Sequence, residues 1–132
     1  MDRSYEVLVA VRKALTSNTE LNTKVGGRFE YSIDQNQNFP CVLLTIQHEA
    51  NDTKTEEAGL YTVRIQAFSR TEDQDECLQI KSKIYNTLHR HEESIDLNGL
   101  IQCIQRGANT VFREDDGVTF QAVMDFKLNV EG

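Results

Sequence analysis

The side chains best suited to do chemistry in this chain are four neighbouring carboxylates, those of Glu72, Asp73, Asp75 and Glu76. Clustered carboxylates can hold a divalent cation, as they do in metal-dependent nucleases. The same residues also begin a predicted amphipathic helix, where the partial positive charge of the helix N-terminus favours acids. No second carboxylate motif on a strand completes a metal site. The pattern therefore favours a solvated helix start over a small metal-dependent enzyme.

Histidine and cysteine offer no firmer candidate site. His89 and His91 lie two positions apart, and such residues point to different sides of a helix, so the pair cannot chelate one zinc ion. A structural role explains both histidines, because the partial negative charge of a helix C-terminus favours cationic side chains. Cys41, Cys77 and Cys103 are widely spaced, which predicts reduced, buried thiols. The sequence therefore predicts no enzyme, no catalytic residue, no metal site and no cofactor.

Two amphipathic helices position these groups. Residues 4–17 form the first helix, with an apolar stripe that includes Tyr5, Leu8, Val11 and Leu15. Residues 71–91 form the second helix, with an apolar stripe of Cys77, Ile80, Ile84 and Leu88. Two capping boxes precede the second helix, Ser69 with Glu72 and Thr71 with Gln74.

Four strands are predicted, at about 41–48, 60–68, 100–114 and 118–130. The last strand alternates apolar and more polar side chains from Val118 to Val130, which predicts one face in the core and one in water. Gly107 predicts a bulge or bend in the strand before it. The order helix, hairpin, helix, hairpin predicts an α+β two-layer sandwich: a mainly antiparallel four-stranded sheet with two helices on one face.

Composition narrows the class of protein. The 132 residues suit a single domain over 1–132, with a core that needs neither disulfides nor metal. No apolar run is long enough to cross a membrane, and the first residues do not resemble a secretory signal, which predicts a soluble intracellular protein. The first forty residues are neutral, so the remainder carries the whole net charge of −7. The absence of a basic stripe argues against tight nucleic-acid binding.

Long polar loops are the predicted contact surfaces. The segment 28–39 and the connection 49–57 are longer than a helix–strand connection or a tight hairpin requires. Long polar loops of this kind either bind partners or are solvated and make no contact. A strong turn signal also lies before the last strand. The candidate subunit or partner contacts are Arg28, Asp34, Asn36, Glu49, Asp52, Lys54, Glu56, Glu57, Asp115 and Asp116.

The order of these features resembles the tail-completion or tail-terminator proteins of long-tailed bacteriophages, also called tail-to-head joining proteins. The resemblance runs from about Tyr5 to Val130. It rests on the order and spacing of short motifs, which are Gly26-Gly27-Arg28 after the first helix, Phe39-Pro40 before a strand, Phe68-Ser69-Arg70 at the end of another, Leu88-His89 at the end of the second helix, and Asp116-Gly117 in the last hairpin.

The resemblance implies a virion protein that forms a hexameric ring on the tail tube, in contact with the tail tube protein and with a head connector or head-closure protein. It implies that double-stranded DNA passes through the ring without specific binding, and that the subunit is made in the host cytoplasm. A head-closure or tail-tube component remains an alternative, as does a small dimeric regulatory domain.

Overall fold

The computed structural model describes residues 2–49 and 58–131. In chain order the elements are helix α1 (Ser4–Thr16), helix α2 (Thr19–Lys24), strand β1 (Phe29–Glu30), strand β2 (Cys41–Glu49), strand β3 (Ala58–Ser69), helix α3 (Asp75–Leu88), strand β4 (Leu100–Arg113) and strand β5 (Phe120–Glu131). A short 3-10 turn at Glu92–Ser94 joins α3 to β4. No helix in the described part of the chain has the length and apolarity needed to span a membrane.

The described strands join one sheet in the order β1-β2-β3-β5-β4. β2 pairs antiparallel with β3, β3 with β5, and β5 with β4, whereas β1 runs parallel to β2. β3 and β5 stay in register from the Ala58–Glu131 pair to the Ser69–Phe120 pair. The last strand of the chain therefore lies inside the sheet, between β3 and β4.

The predicted α+β class is confirmed, but the four-stranded antiparallel sheet with two helices is wrong in detail. Over the described residues the sheet is mixed and five-stranded, and three α-helices accompany it. The extra strand β1 lies in the predicted polar loop, where Phe29 is buried and the Val42 N–H donates to the Arg28 carbonyl at 2.9 Å. The extra helix α2 forms where the Asn18 side chain accepts a hydrogen bond from the Leu21 N–H.

The helices contribute to one hydrophobic core with the inward side chains of the strands. The predicted stripe of α3 is confirmed, since its buried residues are Cys77, Ile80, Ile84 and Leu88. The buried residues of α1 are Val7, Ala10, Val11, Ala14 and Leu15. Tyr5 is 80% exposed, so its predicted place in the core is wrong. It precedes Val7 by two positions, which turns it about 200° around the helix axis.

Both ends of α3 differ from the predicted range 71–91. The helix begins at Asp75, where the Asp73 carboxylate accepts a hydrogen bond from the Asp75 N–H, and neither predicted capping box forms. It ends before Arg90, whose backbone is left-handed with a φ of 56°. The Arg90 N–H donates to the Cys103 carbonyl of β4, so the chain leaves the helix to bond with the sheet.

The last strand begins at Phe120, later than its predicted start. The Asp116 carboxylate accepts hydrogen bonds from the N–H groups of Val118 and Thr119, both at 2.9 Å, and this holds the two residues in the turn. Val118 is 56% exposed, so its predicted inward position is wrong. The predicted irregularity at Gly107 is confirmed by a register shift in β4 around this glycine, whose φ is 103°.

We expect the middle of the sheet to carry much of the stability. Phe126 of β5 is fully buried, so Phe126→Ala should lower the free energy of unfolding by about 3–5 kcal/mol. Phe112→Ala is the matched control, because this phenylalanine of β4 is 43% exposed and its truncation should cost about 1 kcal/mol or less. Urea titrations measure both. Equal losses would contradict the assignment of the core.

Candidate assembly surface

The side of the sheet opposite the helices, which we call the open face, carries a polar network at its centre. Arg64 of β3 lies opposite Asp125 of β5 in the strand register. Its guanidinium donates twice to the carboxylate, from Nε to Oδ1 at 2.9 Å and from Nη2 to Oδ2 at 3.1 Å. Beside this pair, Lys127 Nζ donates to the Thr62 hydroxyl at 2.6 Å. These bonds join β3 to β5 on the open face.

The Asp125 carboxylate is the most enclosed charged group of this network. The hydrogen bond from Arg64 is the main cause that lowers the pKa of Asp125, and the backbone N–H of Ala108 adds to it. Ala108 follows the bulge at Gly107, and a Cβ atom added to that glycine would lie 3.4 Å from Asp125 Oδ2. The bulge therefore brings the backbone of β4 against the ion pair.

The open face is less accessible than its sequence pattern predicts. Gln121, Val123 and Asp125 occupy the positions of β5 that were predicted to face water, yet each is at most 9% exposed. The prediction was wrong because β5 is a central strand, so side chains of β3 and β4 flank it on both sides. Two shallow hollows, of about 360 and 240 Å³, border Lys127 on this face.

Arg70, directly after β3, ties together the loops at one end of the sheet. Its Nε donates to the Thr119 hydroxyl at 3.0 Å, and its guanidinium lies 4.1 Å from the centre of the Phe39 ring. The Thr119 hydroxyl in turn donates to the Asp116 carboxylate at 2.6 Å. The loop before β2 and the turn before β5 are therefore held side by side. We call this the turn end of the sheet.

Half of the predicted contact residues lie in the two segments that meet at the turn end, namely Arg28, Asp34, Asn36, Asp115 and Asp116. Arg28 Nε donates to the Pro40 carbonyl at 2.8 Å, and Asp34 Oδ1 accepts from the Asn36 N–H at 2.8 Å. These contacts shape the loop. Asp34, Asn36, Asp115 and Asp116 remain exposed and accessible to a partner.

One further predicted contact residue, Glu49, lies at the opposite end of the sheet. Glu49 ends β2 opposite Leu60, whereas Cys41 begins β2 opposite Phe68 near the turn end. Asp52, Lys54, Glu56 and Glu57 lie outside the described residues. The predicted contact residues that the structure describes are thus divided between the two ends of the sheet.

Sequence reasoning missed the residues that organise this surface. Arg64 and Asp125 are 61 positions apart, so no local motif signals their pairing. The only available signal was that each of the two residues occupies an outward position in a strand whose side chains alternate between apolar and polar. Arg70 appeared in a motif, but its contacts with Phe39 and Thr119 depend on how the two loops fold together.

The groups with catalytic potential do not converge on one site. Within residues 2–49 and 58–131, no group of three or more histidine, cysteine or acidic side chains could hold a metal ion. His89 stacks on the Tyr85 ring, and its Nδ1 accepts a hydrogen bond from the Gln105 N–H at 3.0 Å. His91 Nδ1 instead bonds to the His89 carbonyl. The two histidines therefore have different structural partners. Their predicted place in the last turn of the helix is wrong, because α3 ends at Leu88.

The three cysteines are buried free thiols. Burial raises the pKa of Cys41 and of Cys77 to about 11, and that of Cys103 to about 12. The thiolate is the reactive form, so these groups stay protonated and unreactive near neutral pH.

These features define a class of protein, an α+β structural subunit whose exposed loops and sheet edges suit contacts with other proteins. Residues 9–131 match the family model described as tail completion protein gp17, so the chain belongs to that family. The match confirms the resemblance drawn from the sequence. The chain is accordingly a structural component of a phage tail or neck.

Two solved structures share the fold. A chain in the virion of a native gene transfer agent particle has a TM-score of 0.82 at 16% identity, and the match covers 98% of this chain and 100% of that one. The gp17 protein of bacteriophage SPP1 has a TM-score of 0.62 at 18% identity, with coverage of 97% and 91%. Identities this low establish a common fold alone. No curated protein matches the chain.

The ion pair on the open face predicts a pH dependence. A carboxyl group with a lowered pKa in the folded state stabilises the fold above its unfolded pKa of about 3.9, and this contribution is lost as the pH falls through the folded pKa. Asp125→Asn should therefore lower stability at pH 7 by about 1 kcal/mol, since Arg64 is half exposed and solvent screens the pair. The difference from the wild type should shrink below about pH 4.

Asp115→Asn is the matched control for this experiment, because it removes the same charge from an exposed turn position. Thermal melts from pH 7 to pH 3 compare the three proteins. A deficit of Asp125→Asn that stays constant over this range would show that the carboxylate charge does not stabilise the fold.

Proposed function

We propose that this chain is a ring-forming tail terminator at the head–tail interface, which caps the tail tube and joins it to the head connector or to a head-closure protein. The observation that carries the proposal is the family match over residues 9–131. The gene transfer agent virion chain, whose full length aligns with this one, supports a place in an assembled particle.

The geometry suits a ring of identical subunits, which we propose to be a hexamer. A closed ring needs two different surfaces on each subunit, so that the same contact repeats by rotation. The sheet supplies such a pair of surfaces because its two edge strands, β1 and β4, differ in length and in neighbours. Its two ends differ as well, which would let a ring bind the tail tube protein on one side and a head protein on the other.

The turn end is a suitable surface for one of these neighbours. Arg70 holds its two loops together, and Asp34, Asp115 and Asp116 lie exposed on them. The Asp116 carboxylate accepts hydrogen bonds from its own turn, which keeps the turn in one conformation before any partner binds. Preorganised loops lose less conformational entropy on binding. We assign the predicted contact role to the exposed residues of this end.

The net charge of −7 suits a ring that conducts DNA. An acidic surface repels phosphates and releases no counterions on contact with them, so double-stranded DNA can pass without being bound. In this proposal the subunits are made in the host cytoplasm and end in the virion. No catalytic step is required at any stage.

Deletion of the gene tests the proposal directly. Particles assembled without this protein should have heads separate from their tails, or tails of abnormal length, because the tube lacks its terminator. Electron microscopy of lysates and the titre of infectious particles measure the effect. A plasmid copy of the gene should restore both. Normal infectious particles in the deletion strain would refute the proposed function.

A further inference from the structure

The edge strand β4 is closed along its first half. The Cys103 N–H donates to Glu92 Oε1 at 3.2 Å, and the Cys103 carbonyl accepts from the Arg90 N–H at 2.8 Å. The Gln105 N–H donates to His89 Nδ1 at 3.0 Å. The segment that follows α3 thus covers this edge, which is one way in which proteins prevent a strand from pairing with another chain.

The second half of the same edge, residues 109–113, is open. Cys103 and Gln105 pair with alternate residues of β5 and turn their backbone groups away from that strand. The alternation continues beyond the bulge, because Asn109, Val111 and Arg113 pair with the next alternate residues of β5. Their outward N–H and C=O groups meet no other strand among the described residues. This half contains Thr, Val and Phe, which favour strands, and no proline.

A second open stretch lies at the opposite edge of the sheet. β1 pairs only with Val42 and Leu43, so the rest of β2 has no strand on that side within the described part of the chain. The Val42 N–H points to this side, since it donates to Arg28. Alternation then turns the backbone groups of Ile46 and His48 outward as well. The two open stretches have similar lengths.

We propose that these two open stretches bind each other in the ring, so that β4 of one copy of this chain pairs with β2 of the next copy. The proposal rests on the proposed ring function and names its contact. One register joins the outward N–H and C=O groups of β4 to those of β2. In this register Val111 faces Ile46 and Asn109 faces His48. This register also continues the core side and the open face from one copy to the next.

The strand directions agree with this pairing. β2, β3, β5 and β4 alternate in direction along the sheet, so β2 and β4 run opposite to each other. A rotation about an axis close to the strand direction preserves the direction of every strand. β4 therefore meets β2 of the next copy antiparallel, and the same heterologous contact repeats around the ring.

Disulfide crosslinking tests the contact with a variant that carries Thr110→Cys and Gln47→Cys. Both positions are exposed, and the proposed register makes them a non-hydrogen-bonded pair, in which facing side chains approach closest. The three native cysteines are buried and do not compete. Under mild oxidation we expect a ladder of crosslinked oligomers that a reductant reverses, with the protein alone or with isolated tail tubes.

The matched control combines Thr110→Cys with Gln66→Cys, because Gln66 faces the same side of the sheet but lies on the central strand β3. A ladder of equal strength from this control would overturn the proposed contact. If the Thr110/Gln47 variant gives no ladder while the wild type forms rings by native mass spectrometry, the edge pairing is wrong and the ring stands. If the wild type forms no ring, alone or on tubes, the ring and the pairing both fail.

Proline supplies an independent test. Asn109→Pro removes an N–H that points away from β5, so it should spare the ladder within the subunit. We expect self-association to weaken on the order of tenfold, from the lost hydrogen bond and the clash with the approaching strand. Asn109→Ala keeps the N–H and should assemble as the wild type does. Urea titrations check that both variants fold, and unimpaired assembly of Asn109→Pro would overturn the pairing.

Discussion

The pairing of β3 with β5 is the constraint on which the rest of the structure depends. It brings the last strand of the chain into the middle of the sheet, in register along the whole of both strands. One side of this pair forms the floor of the hydrophobic core beneath the helices. The other side joins Arg64 to Asp125 and Lys127 to Thr62. The same two strands thus form a polar centre on the open face and an apolar centre beneath the helices.

The proposed contact surfaces lie at the edges and ends of the sheet, so a few local features decide which backbone groups and loops are available for assembly. The bulge at Gly107 turns β4 toward the ion pair and separates its covered half from its open half. Arg70 joins two loops that are distant in sequence into one end of the sheet. These local features leave a subunit whose edges and ends differ chemically, as a repeating heterologous contact requires.

Much of the fold could be predicted because its signals are local. The stripe of α3 is a periodicity within one helix, and its four apolar residues are all buried. The glycine in β4 marked its bulge. The burial of Tyr5 and Val118 was predicted wrongly because a residue near the end of a helix or strand can depart from the apolar periodicity at little cost in free energy. β1 was missed because a two-residue strand has no period, and its partner β2 lies beyond a loop.

The sequence by itself determined the α+β class, the burial of the three cysteines and the family to which the chain belongs, because these follow from local periodicity, side-chain chemistry and the order of motifs. Only the tertiary structure decided that β5 is central, that Arg64 meets Asp125, and that Glu49 lies at the end of the sheet opposite the other described contact residues. Such pairings join residues far apart in the chain. These pairings depend on which strands become neighbours in the sheet, and the residue pattern within one strand does not indicate which strand will pair with it.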